Sequence, residues 1–143
     1  MKFDTINGQT IFSKTLFIDP LKLWLEYIQY SIRWLSGEGG LQRFRSLCER
    51  AITCVGLHPE KGSAIWEVYR ETESILEGED KKEKVNSIFK RHVSIPIYGI
   101  DATYKEFKTF DQAKWKEAKA GYDAATLKVL AKNDKISAAV SFT

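Results

Sequence analysis

The side chains able to do chemistry in this chain are few and widely spread. His58 and His92 are its only imidazoles, and Cys48 and Cys54 its only thiols. A zinc site needs such groups in close pairs, and a nucleophilic site needs a base beside its nucleophile. Neither spacing occurs here. Placed on one helix, Cys48 and Cys54 stand about 240° apart around the axis and about 9 Å apart along it, too far to bridge. Both therefore read as buried thiols of a reducing compartment. His58 reads as a turn residue and His92 as a structural histidine on the apolar side of a helix. The carboxylates Glu67, Glu71, Glu73, Glu77, Glu79 and Asp80 are dense enough to suggest an acid–base pair. On a solvated helix, with Arg70 at hand for local pairing, such a series is instead a wet face. The glycines of Gly37-Glu38-Gly39-Gly40 follow a helix and not a strand, so they form a loop, not a phosphate cradle. The expectation is a chain that is not an enzyme and takes no cofactor or metal.

The cations suggest a different kind of chemistry. Lys81, Lys82, Lys84 and Lys90 cluster with Arg91, and Lys105, Lys108, Lys114, Lys116 and Lys119 form a second group. The net charge is only +3, from 22 basic against 19 acidic residues, which by itself is no signature of a nucleic-acid binder. Lysines without an interleaved aromatic pattern serve as a solubilising surface, or as a weak, non-specific contact to RNA or an acidic partner. The candidate contacts of that kind are Lys81, Lys82, Lys84, Lys90, Lys114 and Lys116.

The elements that must position these residues are helical throughout. Over 143 residues, 43% of them hydrophobic, the apolar positions recur at threes and fours, not in alternation. Asp19 is the N-cap and Pro20 the first residue of a helix carrying Leu21, Trp24, Tyr27 or Ile28, Ser31 and Leu35. The loop at 37–40 ends it. A second helix runs from Leu41 to Val55 and stops at Gly56. A third starts near Ser63 and bears Ile65, Trp66, Tyr69, Thr72, Ile75 and Leu76. Asp80 opens a fourth, Asp101 caps a fifth, and a sixth spans Gln112 to Lys132. The prolines fall at 20, 59 and 96, a regularity that signals repeats. Residues 19–133 are thus expected to form about three antiparallel hairpins. Residues 1–18 are an atypical N-terminal segment with no secretory pattern, and residues 134–143 a frayed or disordered tail. No run is long and apolar enough for a membrane span, so an intracellular, soluble protein is expected. A hairpin with apolar stripes on both helices buries them only by stacking on the next, which makes the fold class all-α and solenoidal.

One motif recurs inside that frame. The first helix holds Trp24-x2-Tyr27, the third Trp66-x2-Tyr69-x3-Glu73, and the fifth the weaker Tyr104-x2-Phe107, at separations of 42 and 38 residues. The second helix supplies Arg43 and then Glu49-Arg50-Ala51, and the fourth keeps Arg91 at the corresponding place. Ser31 replaces the acid in the first repeat. This pattern resembles the half-a-TPR (HAT) repeat, whose paired helices carry Trp, Tyr and Glu, then Glu-Arg-Ala. The segments Leu23-Trp24-Leu25-Glu26-Tyr27, Val55-Gly56-Leu57-His58, Ile65-Trp66-Glu67-Val68-Tyr69-Arg70-Glu71 and Ile95-Pro96-Ile97-Tyr98 are similar to the N-terminal HAT region of spliceosomal snRNP recycling factors. The resemblance implies antiparallel hairpins stacked as a HAT/TPR-like α-solenoid, with the aromatic rings inside them. It also implies a nuclear scaffold in pre-mRNA splicing that docks snRNP proteins, and HAT arrays that self-associate. Members of that family are longer and carry RNA recognition motifs, so this chain reads as a fragment or truncated product, and lack of an independent function stays open. Direct RNA contact through the lysines is the other alternative.

Overall fold

The computed structural model describes residues 19–142, with side chains through Lys132. The expectation for residues 1–18 lies outside the described residues. Seven α-helices and a π-helical turn, and no strand, occur among the described residues, and they divide into two compact units that meet in sequence between Leu47 and Cys48.

The first unit holds α1 (Pro20–Ile32) and most of α2 (Gly40–Ala51). The start of α1 is as the sequence dictates: the Asp19 carboxylate accepts from the Leu21 N–H at 3.0 Å, and Pro20 takes the first turn, where its missing N–H costs nothing. The helix ends at Ile32, three residues before Leu35, and tightens into i→i−3 bonds from Trp34 to Ser31 and from Leu35 to Ile32. Among the described residues of this unit, Ile28 and Phe44 have fully buried side chains.

In the second unit the end of α2 widens into a π-helical turn, Ile52–Gly56, where a continuous α-helix to Val55 was expected. Thr53 Oγ1 bonds back to the Glu49 carbonyl at 3.0 Å, a side-chain competition that loosens helices. Next come α3 (Ser63–Ile75) and α4 (Lys81–Val93), joined by a turn short enough to enforce an antiparallel hairpin. Then follow α5 (Ile100–Phe110), α6 (Gln112–Glu117) and α7 (Lys119–Phe142). Hairpins stack on one another here, α4 lying against α3, α5 and α7. The core between α4 and the last three helices is Val85, Phe89, Val93, Phe107 and Ala118, with Tyr104, Trp115 and Tyr122 packed on it. The inter-hairpin loops are tied together, Tyr98 N–H donating to the Pro59 carbonyl at 2.7 Å. All-α stacked hairpins are the solenoid architecture the periodicity demanded.

Several local expectations change. Asp101 does not cap α5. That place belongs to Gly99, whose φ of +86° lies in the left-handed region that glycine tolerates, and the Asp101 carboxylate instead accepts from the Tyr122 hydroxyl. Asp80 precedes α4 without a side-chain cap. The expected sixth helix is two, α6 capped by Asp111 onto the Lys114 N–H and broken at Ala118. Near the start of α7, Gly121 lies so close to Ser94 that a Cβ there would strike its Oγ. The backbone of α7 is helical through residue 142. No glycine or proline follows Gly121 to stop it.

Candidate functional site

The repeat motif of the second unit closes into one polar and aromatic cluster. Trp66, Tyr69, Arg70 and Glu73 stand at i, i+3, i+4 and i+7 on α3, so all four face the same way. All four are buried. The Trp66 indole donates to the Gly56 carbonyl at 3.0 Å, an acceptor at the end of the π-helical turn. Tyr69 donates its hydroxyl to Glu49 Oε2 at 3.0 Å. Arg91 reaches the same carboxylate from α4 with both guanidinium nitrogens, at 2.7 and 2.8 Å. A fork-on-fork pair of this kind specifies direction as well as contact. Glu49 thus ties α2 to α3 and α4 at once. Arg91 also lies 5.0 Å above the Trp66 ring, while His92 stacks on that ring at 5.6 Å.

A second layer continues the cluster toward α5. Arg70 Nη1 donates to His92 Nδ1 at 3.3 Å, and Nη2 to Glu106 at 3.2 Å. Since a guanidinium cannot accept, His92 Nδ1 must be the bare nitrogen and the ring neutral. Its Nε2 is buried without a hydrogen-bond partner. Arg70 further covers the Phe89 ring at 4.4 Å, and Phe89 stacks on Phe107 at 4.8 Å.

The electrostatics follow from this burial. Burial, then the Arg70 charge, pushes His92 down to about 3. Burial, then the carboxylates of Glu73 and Glu49, pushes the Cys48 thiol up to about 12, which removes it as a nucleophile. The hydrogen bonds from Arg91 hold the Glu49 carboxyl below its ordinary value, and burial followed by the Glu49 charge raises the Tyr69 phenol. The cluster therefore keeps one carboxylate charged, one imidazole neutral and one phenol protonated around neutral pH. Those are the states of a structural clasp.

The other motif residues are placed unequally. Ala51 and Phe107 are buried, Tyr104 is half-buried and stacked on Tyr122 at 3.7 Å, and Arg43 and Arg50 are exposed. Trp24 is half-buried, but Tyr27, expected inside a hairpin, is 53% exposed. Cys54, expected to be buried, is exposed as well. Glu73 is buried, so it leaves the solvated acidic face to which it was also assigned, and Arg70 is a buried bridge instead of a surface partner.

The lysine groups come together around carboxylates. Lys82 lies 3.6 Å from Asp111, while Lys90 and Lys114 lie 2.5 and 3.6 Å from Glu117. The Lys114 backbone N–H and then the Asn86 amide hold the Asp111 carboxyl below its ordinary value, and Lys90 followed by Lys114 does so for Glu117. Lys116 is exposed, and Lys81 and Lys84 are half-buried. The surface is of mixed sign, not a continuous basic stripe. Asp111 and Glu117 were missed by sequence reasoning, because nothing in their spacing announces a cross-helix partner. Arg70 was readable from its place four residues after Trp66. Among the described residues no cluster of His, Cys, Asp and Glu could hold a metal ion, and no helix is long and apolar enough to cross a membrane.

Comparison with known proteins agrees with this arrangement. Residues 5–109 match the family model described as the PRP39 N-terminal HAT repeat. The chain is 45% identical over 96 residues to the mouse spliceosome associated factor 3, U4/U6 recycling protein, a match covering 67% of this chain and 10% of the mouse protein. The human protein of that name is 46% identical over 90 residues, covering 63% of this chain and 9% of its own length. The Danio rerio protein is 36% identical over 75 residues, 40% of this chain and 8% of its own. The chain thus spans about a tenth of the length of the relatives it matches.

Proposed function

The chain belongs to the PRP39 N-terminal HAT repeat family, and on that premise we propose that it is a non-catalytic helical-repeat scaffold working in pre-mRNA splicing, in the nucleus, by docking proteins of spliceosomal snRNPs. The observation that carries this reading is the Glu49–Tyr69–Arg91 clasp beside Trp66. It commits the reactive-looking groups of the repeat to joining one hairpin to the next, and leaves the outer helix faces for partners, as in other solenoids. The relatives' printed role in U4/U6 recycling suggests the particle to try first.

The test is direct binding of the purified full chain to purified U4/U6 snRNP, before and after nuclease treatment. Retention by the protein fraction after the RNA is digested supports a protein-docking scaffold. Failure to bind either preparation sinks it.

The alternative, RNA contact through Lys81, Lys82, Lys84, Lys90, Lys114 and Lys116, has against it the pairing of Lys82, Lys90 and Lys114 with Asp111 and Glu117. Filter binding across salt separates the two. A contact made by phosphate neutralisation weakens steeply as salt rises, and protein docking through an apolar face does not.

A further inference from the structure

The last turn of α4 meets the final helices through one closely fitted joint. Lys90 and Ser94 stand at i and i+4 on one face of that turn. Glu117 and Gly121 are likewise four residues apart, across the break between α6 and α7. Lys90 Nζ holds Glu117 Oε2 at 2.5 Å. One turn further on, Ser94 lies so close to Gly121 that a single methyl group there would strike its hydroxyl. Ser94 is nevertheless exposed, as the residue that ends α4. Its Oγ donates to the Lys90 carbonyl at 2.9 Å, and Pro96, two residues on, keeps the helix from continuing.

The charges that precede this hydroxyl select the chemistry that acts on it. Arg91 and Lys90 lie three and four residues before Ser94, and Ile95 follows it. Cations at that distance before a serine form a substrate charge pattern, which a kinase reads with acidic groups beside its active site. Both cationic side chains reach water, being 38 and 42% exposed for Lys90 and Arg91. The turn that must open to present them is held by long bonds. The Ser94 and Ile95 N–H groups reach the Arg91 and His92 carbonyls at 3.3 and 3.2 Å, and helix ends of this kind open locally without global unfolding.

We infer that Ser94 is a phosphorylation site for a basophilic serine kinase, and that its phosphate parts α6 and α7 from α4. In the transfer, Oγ bonds to the γ-phosphorus of Mg²⁺-ATP while the bond from that phosphorus to the β,γ-bridging oxygen breaks. ADP leaves, and the hydroxyl proton passes to the catalytic aspartate of the kinase. The ester oxygen can then no longer donate to the Lys90 carbonyl. A group of about −2 charge sits at the C-terminal end of α4, where the helix dipole is already negative. It competes with Glu117 for Lys90 and repels that carboxylate. Against Gly121, where even a methyl does not fit, it finds no room. The joint closes on a small, neutral side chain. The inference stands on this joint and is independent of the splicing role.

The test treats the purified full chain, and a Ser94→Ala variant, with a calmodulin-dependent serine kinase and Mg²⁺-ATP. The intact mass should rise by one phosphate, placed on Ser94 by fragmentation, and Ser94→Ala should take up none. Hydrogen exchange read by mass spectrometry then compares treated and untreated chains. Amides of residues 119–132 should exchange about tenfold faster after phosphorylation, the scale of one lost charge-assisted contact. Those of α1, in the other unit, should not change. Treated Ser94→Ala should keep the slow exchange of the unmodified chain, which shows that the treatment itself is not the cause. A chain that takes no phosphate on Ser94 overturns the inference. So does complete phosphorylation of Ser94 that leaves exchange in α7 as it was.

Discussion

The same Trp-x2-Tyr pattern appears on α1 and α3, and the two copies end in opposite surroundings. On α3, Trp66 and Tyr69 are buried, the indole satisfied by the Gly56 carbonyl and the phenol by Glu49. On α1, Trp24 is half-buried and Tyr27 mostly exposed, their rings 6.0 Å apart edge to face. A helical motif states which side chains share a face. Whether that face is covered depends on an acceptor, a carboxylate and a guanidinium arriving from other helices. For α3 those arrive on α2, the π-helical turn and α4. In α1 the position of the motif acid is Ser31, whose hydroxyl donates back to the Ile28 carbonyl of its own helix at 2.8 Å.

Truncation of the buried indole should break the comparison most severely. Trp66→Ala is expected to cost about 3–5 kcal/mol in urea unfolding, since it leaves a large cavity and deprives Gly56 of its donor. A smaller loss would mean that the ring is not a core element.

The imidazole stacked on that indole comes next, and its effect depends on pH. His92 is held down at about 3 against an ordinary value of 6.5, so between those values the unfolded chain binds the extra proton. The stability from keeping His92 neutral is complete above pH 6.5 and lost as pH falls toward 3, about 2 kcal/mol of it by pH 5. His92→Gln should flatten the fall between pH 6.5 and 5 when unfolding is followed at each pH. An unchanged slope would assign the effect to other groups. Glu49 contributes in the same direction but in a lower window. Its folded value is depressed, so its contribution is present above the ordinary carboxylate range and disappears as pH drops through the folded value.

The clasp itself is a smaller matter of energy. The Glu49 and Arg91 side chains are 45 and 42% exposed, so solvent screens their pairing. A double-mutant cycle with Glu49→Gln and Arg91→Gln should return a coupling of about 1 kcal/mol. A coupling near zero would leave the pair setting geometry without adding stability. At the small end, Tyr27→Ser should change monomer stability by about 0.5 kcal/mol or less, as exposed positions do. A drop comparable to that of Trp66→Ala would erase the contrast between the two helices.

Much of this was readable before any coordinates. The threes-and-fours periodicity, the Asp19-Pro20 start of α1 and the recurrence of Trp24, Trp66 and Tyr104 suffice for an all-α chain of stacked hairpins. So does the membership of Trp66, Tyr69 and Glu73 in one helix face. The limits were equally specific. The π-helical turn at Ile52–Gly56 was invisible because Ile52 and Val55 continue the apolar spacing of α2, and only the approach of the Trp66 indole makes use of its carbonyl. Asp101 reads as a cap from its type and place, yet it faces Tyr122, twenty-one residues away. Lys82 and Lys90 looked unpaired because Asp111 and Glu117 reach them from another helix, while the Lys114–Glu117 pair is local to α6.

The amino-acid sequence alone determined where most of the helices lie and which of their residues look the same way, because backbone propensity and the 3.6-residue period act over neighbouring positions. Tertiary structure alone decided which of those faces is covered and which ions meet. Glu49 finds Arg91 across 42 residues, and Tyr27 keeps half its surface in water. Burial and cross-helix pairing are properties of elements brought together from far along the chain, and no local pattern encodes the partner.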